Sequence, residues 1–82
     1  MTPEQEYNYI QQAQKAPDAF MHLYDHYFPR IHAYVRYRIQ NAQDAEDLIA
    51  DTFFEAIRKL RHFKWRNQGS FAAWVFRIAH NL

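Results

Sequence analysis

His22 and His26 stand four residues apart, a spacing that sets two imidazoles on one face of a helix and could begin a zinc site. Glu6, Asp25 and His32 could add donors, but no second paired motif completes a ligand set, so neither a metal nor any other cofactor is expected. Nucleophilic catalysis has little to work with. There is no Cys, and apart from tyrosine the only hydroxyls are Thr2, Thr52 and Ser70, none at a recognisable spacing from a base. A helical metal enzyme built on His22 and His26 is therefore the weakest reading, and the chain is expected not to be an enzyme.

The residues suited to binding are arranged differently. Residues 1–55 carry nine acids against four bases, whereas residues 56–82 carry six bases (Arg58, Lys59, Arg61, Lys64, Arg66, Arg77) and no acid. This basic segment is interleaved with Phe63, Trp65, Phe71, Trp74 and Phe76, a combination that suits a partner offering phosphates and bases. An acidic half and a basic aromatic half imply two surfaces with different partners. The lack of Cys rules out a disulfide framework and fits a reducing cytoplasm. No apolar run is long enough to span a membrane, and the polar start (Glu4, Gln5, Glu6) is unlike a secretory signal. A soluble, cytoplasmic protein with no membrane partner is expected.

The elements that must position these residues are helical, since one Gly and three Pro leave little material for the turns of a β domain. The 82 residues are expected to form one all-α domain, a small bundle of three to four helices over about 3–15, 18–40, 44–63 and 70–82. Ala16-Pro17-Asp18 separates the first two, because a residue before proline is driven out of the helical region. In the second, Phe20, Leu23, Tyr24, Tyr27, Ile31, Tyr34, Val35 and Ile39 define a buried stripe, and Pro29 predicts a kink or local break near Asp25 and His26. Asn41 or Asp44 can cap the third helix, whose acidic first turn and basic last turn complement its dipole. Ala45, Leu48, Ile49, Thr52, Phe53, Ala56, Ile57, Leu60 and Phe63 gather on its core face. Phe54 falls nearly opposite, among Asp47, Ala50, Asp51, Arg58 and Arg61; an apolar ring on a charged face is what a partner protein buries. Lys64 to Ser70 reads as an exposed loop, Ser70 as a cap, and Phe71, Trp74, Val75 and Ile78 as the core face of the last helix. That helix lacks a stop signal, which implies a fragment of a longer protein.

The order of features is specific in combination: Asp44-Ala45-Glu46-Asp47-Leu48, then Thr52-Phe53, then Phe71-x-x-Trp74-x-x-Arg77-Ile78-Ala79-x-Asn81, preceded by Ala19-Phe20-x-x-Leu23-Tyr24-x-x-Tyr27. Over residues 16–82 this resembles region 2 of the extracytoplasmic-function (ECF) group of bacterial sigma factors, in the sigma-70 family. The resemblance implies a transcription initiation factor domain that docks on the β′ clamp helices of RNA polymerase core and recognises and melts the promoter minus-ten element. It assigns polymerase binding to Asp47, Ala50, Asp51, Phe54 and Arg58, the face that periodicity isolates. Ala50 departs from the glutamine of many relatives, which leaves more of the binding to Phe54. For the captured, unstacked base it implies Lys64 and Arg66 on phosphates, Asn67, Gln68 and Ser70 on base edges and Trp65 for stacking. Arg77, His80 and Asn81 then lie where the last helix meets promoter DNA, with Asn81 the strongest candidate for a base contact. The family also implies an anti-sigma factor as a partner and a second helical domain, region 4, for which this chain has no residues. The competing reading is a helical interaction domain without DNA binding, which leaves the basic aromatic segment unused.

Overall fold

Thr2 begins the first helix with a reciprocal cap: its hydroxyl accepts from the Gln5 amide at 3.1 Å, and the Gln5 side chain accepts from the Thr2 amide at 2.9 Å. In the computed structural model, which describes residues 1–82, four helices follow: α1 (Pro3–Lys15), α2 (Met21–Arg38), α3 (Ala42–Lys59) and α4 (Ser70–Asn81). Single 3-10 turns at Pro17–Phe20 and Leu60–His62 complete the regular structure, and there are no strands, so the fold is all-α as expected. Ala16 ends α1 in an extended conformation, as the following proline requires.

Of the kink or local break expected at Pro29, the break does not occur: α2 runs from Met21 to Arg38 with the proline inside it. The proline removes the amide that would bond the Asp25 carbonyl, and Asp25 is exposed, so water can take that role. Meanwhile Leu23, Tyr27, Ile31 and Val35, one to each turn, are buried on both sides of the proline and hold the halves in register. The helix also starts later and ends earlier than the 18–40 span, its first turn being the 3-10 segment and Ile39 turning extended.

Of the two candidate caps for α3, Asn41 serves: its Oδ1 accepts from the Asp44 amide at 2.9 Å, and Asp44 sits in the acidic first turn. The buried face of α3 is Ala45, Ile49, Thr52, Phe53 and Ala56, continued by Leu60. It is narrower than the sequence stripe. Ile57 was expected on it but is 42% exposed, because it stands one residue, and so about 100°, past Ala56 on the helix wheel. Leu48, on the other margin, is half-buried. Thr52 is fully buried yet satisfied, donating its hydroxyl to the Leu48 carbonyl at 2.7 Å.

Phe71 and Val75 of α4 close the core, and Phe71 meets three other rings, its centroid 5.2 Å from Tyr27, 5.4 Å from Phe63 and 5.7 Å from Trp74. Gly69 precedes α4 at φ +93°, a backbone region that favours glycine. Ser70 therefore is not the cap expected from sequence. It is already the first helical residue, and its hydroxyl donates to the Asn67 carbonyl (2.9 Å) and accepts from the Arg66 amide (3.2 Å), closing the loop instead. No helix is long and apolar enough to cross a membrane.

Candidate functional site

The expected site residues fall on two main surfaces. The first is the outer face of α3, on which Asp47, Ala50, Asp51, Phe54 and Arg58 are all exposed. Phe54 is 65% exposed and Ile57, one turn on, lengthens it into an apolar strip. Asp47 accepts from the Gln43 side chain at 3.0 Å. Arg58 grips Glu55 with two 2.9 Å hydrogen bonds through Nε and Nη2, and Lys59 reaches the same carboxylate at 3.2 Å. Those hydrogen bonds, Arg58's first, hold the Glu55 carboxyl down to about 2 and in return push the Arg58 guanidinium up. The face thus runs from acidic through apolar to basic along the helix.

The second surface is a groove of about 410 Å³ between the loop and α4, lined by His62, Phe63, Lys64, Arg66, Ser70, Ala73, Trp74 and Arg77. It gathers three of the expected cations, Lys64, Arg66 and Arg77, and no acid. Phe63 and the half-buried Trp74, with ring centroids 4.9 Å apart, are its aromatic members. His62 was not singled out for this surface by sequence, and Trp74, one of the aromatics of the basic segment, was placed on the core face. His62 belongs to the acid-free segment, which was a usable signal, whereas the spacing of Trp74 marked it for the core. Ser70 borders the groove with its hydroxyl already engaged in the loop.

The remaining expected residues are dispersed. Trp65 is half-buried and faces α1: its indole N–H donates to Glu6 Oε1 at 3.1 Å and its ring meets Tyr7 edge-on at 5.4 Å. Asn67 is exposed, and Gln68 borders a separate hollow with Thr2, Glu6 and Arg30. Asn81 and Arg77 line a third hollow of about 300 Å³ with Glu55, Lys59, Trp74 and Ile78, so Arg77 is shared between this hollow and the groove. His80 lies toward α2, its Nδ1 3.5 Å from the Tyr34 hydroxyl, which also accepts from Arg38 Nη1 at 3.0 Å.

Gln14 of α1 carries no sequence signal, and Glu6, a possible metal donor by sequence, has a different role in the structure. Glu6 is buried, and its carboxylate accepts from the Tyr27 hydroxyl as well as from Trp65. Burial first, and the adjacent carboxylate second, push the Tyr27 phenol up. Gln14 Nε2 donates to the carbonyls of Leu60 (3.0 Å) and Phe63 (2.8 Å). Both side chains meet partners distant in sequence, which no local pattern reveals. His22 and His26 engage different rings, His22 stacking on Tyr9 at 4.4 Å and His26 edge-on to Tyr27 at 4.8 Å, and no group of three or more His, Asp or Glu converges to hold a metal.

Residues 23–82 match the family model of sigma-70 region 2. The chain is 40% identical over 65 residues to the ECF RNA polymerase sigma factor BldN of Streptomyces coelicolor (strain ATCC BAA-471 / A3(2) / M145), a match covering 79% of this chain and 24% of that protein. It is 34% identical over 67 residues to the RNA polymerase sigma factor YlaC of Bacillus subtilis (strain 168), covering 82% of this chain and 38% of that protein. No solved structure matches it. The chain thus spans well under half the length of these curated relatives. The matched span takes in the stripe of α2, the outer face of α3 and the groove of α4 alike, and the chain belongs to the sigma-70 region 2 family.

Proposed function

We propose that this chain is a transcription initiation factor domain that docks on RNA polymerase core through the outer face of α3 and captures an unstacked base of the promoter minus-ten element in the loop–α4 groove. One observation carries the reading: three cations, two aromatic rings and no acid line one groove, while Phe54 stands exposed on α3. Extruding a base costs a few kcal/mol, and a site that repays it needs ring faces, phosphate contacts and edge donors together. Lys64, Arg66 and Arg77 contact phosphates, Trp74 offers the stacking surface, and Asn67, Gln68 and Ser70 supply polar groups along the loop. Trp65, held against α1, supports this loop from beneath. Asn81, which can bond a base edge with both amide atoms, and His80 continue the contact along α4. On α3, Phe54 is the anchor, flanked by Asp47, Ala50, Asp51 and Arg58. The name of each curated relative, an RNA polymerase sigma factor, supports the same partner.

The experiment is a pair of titrations, with polymerase core and with a labelled single strand carrying minus-ten bases. Wild type binds both. Asn81→Ala keeps core affinity and loses strand affinity roughly tenfold, the scale of one bidentate base contact. A folded chain that binds strand but ignores core overturns the docking half of the reading; equal loss of both affinities in Asn81→Ala overturns the division of labour between α3 and α4.

A further inference from the structure

Lys64 and Arg66 flank Trp65 in a segment that is neither helix nor turn, with Phe63 in an extended conformation. In extended backbone, successive side chains point to opposite sides. The burial alternates accordingly: Phe63 buried, Lys64 exposed, Trp65 half-buried, Arg66 exposed. Whatever fixes Trp65 inward therefore fixes both cations outward. That fixture comes from α1, all of which precedes the matched residues 23–82. Glu6 joins the Tyr27 hydroxyl on α2 to the Trp65 indole N–H, while Gln14 holds the carbonyls of Leu60 and Phe63 where the segment begins. At the far end, Gly69 and the Ser70 hydroxyl close the loop. A buried carboxylate is costly unless its oxygens are bonded, and both oxygens of Glu6, a residue only 7% exposed, are.

We propose that Glu6 is a positioning residue: by pinning Trp65 to the α1–α2 corner, it presets the loop so that Lys64 and Arg66 face the strand in the groove. This rests on the reading of that groove as the strand site. Without the pin, the strand must order a mobile loop on binding, and fixing one or two residues costs enough to weaken affinity roughly tenfold.

The test compares Glu6→Leu and Glu6→Gln with wild type by hydrogen exchange of residues 64–69, affinity for a labelled minus-ten single strand, and affinity for polymerase core. Leucine fills the space but accepts no hydrogen bond. It is expected to speed exchange in the loop and weaken strand binding about tenfold, leaving core binding and the protection of α3 unchanged. The glutamine amide can accept from Trp65 and donate to Tyr27, so Glu6→Gln restores both loop protection and strand affinity. Trp65→Phe, which keeps a ring against Tyr7 but removes the N–H together with the five-membered ring of the indole, is expected to loosen the loop as the leucine variant does, and its loop protection is read if Glu6→Leu does not fold. Normal loop protection in Trp65→Phe or folded Glu6→Leu, or a loosened loop with undiminished strand binding, overturns the proposal. Failure of Glu6→Gln to restore the loop also overturns it. If wild type binds neither strand nor core, the groove assignment has failed, and the exchange data still decide whether Glu6 pins the loop.

Discussion

Replacing Phe54 with alanine separates docking from folding. A phenylalanine side chain offers on the order of 200 Å². Since Phe54 is 65% exposed, on the order of 130 Å² remains for a partner to cover. At about 25 cal/mol per Å² that is at most about 3 kcal/mol, and a ring covered in part at the interface yields about half. The polymerase-core dissociation constant should therefore rise roughly 10- to 100-fold. Folding should barely notice. The ring contributes little to the core, and alanine is the better helix former by a few tenths of a kcal/mol, so Tm should stay within about 3 °C of wild type. The assay is a titration of core enzyme with fluorescently labelled chain, beside a thermal melt followed by helical circular dichroism. Unchanged core affinity would falsify the claim that Phe54 anchors the interface. A fall in Tm of ten degrees or so would mean that the ring packs inside.

Two further substitutions probe the frame. Gly69→Ala meets no steric neighbour but must adopt φ +93°, so it should cost about 1–2 kcal/mol and lower Tm by several degrees; an unchanged Tm would show that the turn relaxes freely. Glu55 has a folded-state value depressed from 4.5 to about 2, so whatever stability it lends is present above pH 4.5 and is lost as pH falls toward and through 2. Carboxyl chemical shifts should place its midpoint below the usual carboxylate range in wild type and move it back toward 4.5 in Arg58→Ala. An identical midpoint in both proteins would remove Arg58 as the cause. The exposed pair should add little to Tm at neutral pH.

Which features could be foreseen depended on how far apart in sequence their causes lie. Helix α3 was legible because cap, charge gradient and apolar period all act within one segment, and Phe54 was legible as the ring that broke the period. The same period placed Ile57 in the core, since it cannot reveal how wide a strip the neighbouring helices cover. Pro29 reads locally as a kink or break, whereas α2 continues through it with buried residues on both sides. Ser70 has the chemistry of a cap, but Gly69 takes the turn conformation and leaves the hydroxyl to the loop. Of the groove, the cations were readable from composition, while the placement of Trp74 on its lining and of Trp65 against α1 was not. Trp65 is drawn inward by Glu6, 59 residues away in sequence, and one of two acids in the first turn of a polar helix gives no sign that it will be buried.

The most direct test is the salt dependence of strand binding by the chain in complex with polymerase core. Each phosphate neutralised on a single strand contributes about −0.7 to the slope of log K against log salt, so Lys64, Arg66 and Arg77 together predict a slope of about −2. The account requires that slope, with tighter binding to strands carrying minus-ten bases than to scrambled ones, and a slope about 0.7 shallower in Arg66→Ala. A slope near zero, or equal affinity for minus-ten and scrambled strands, would contradict it.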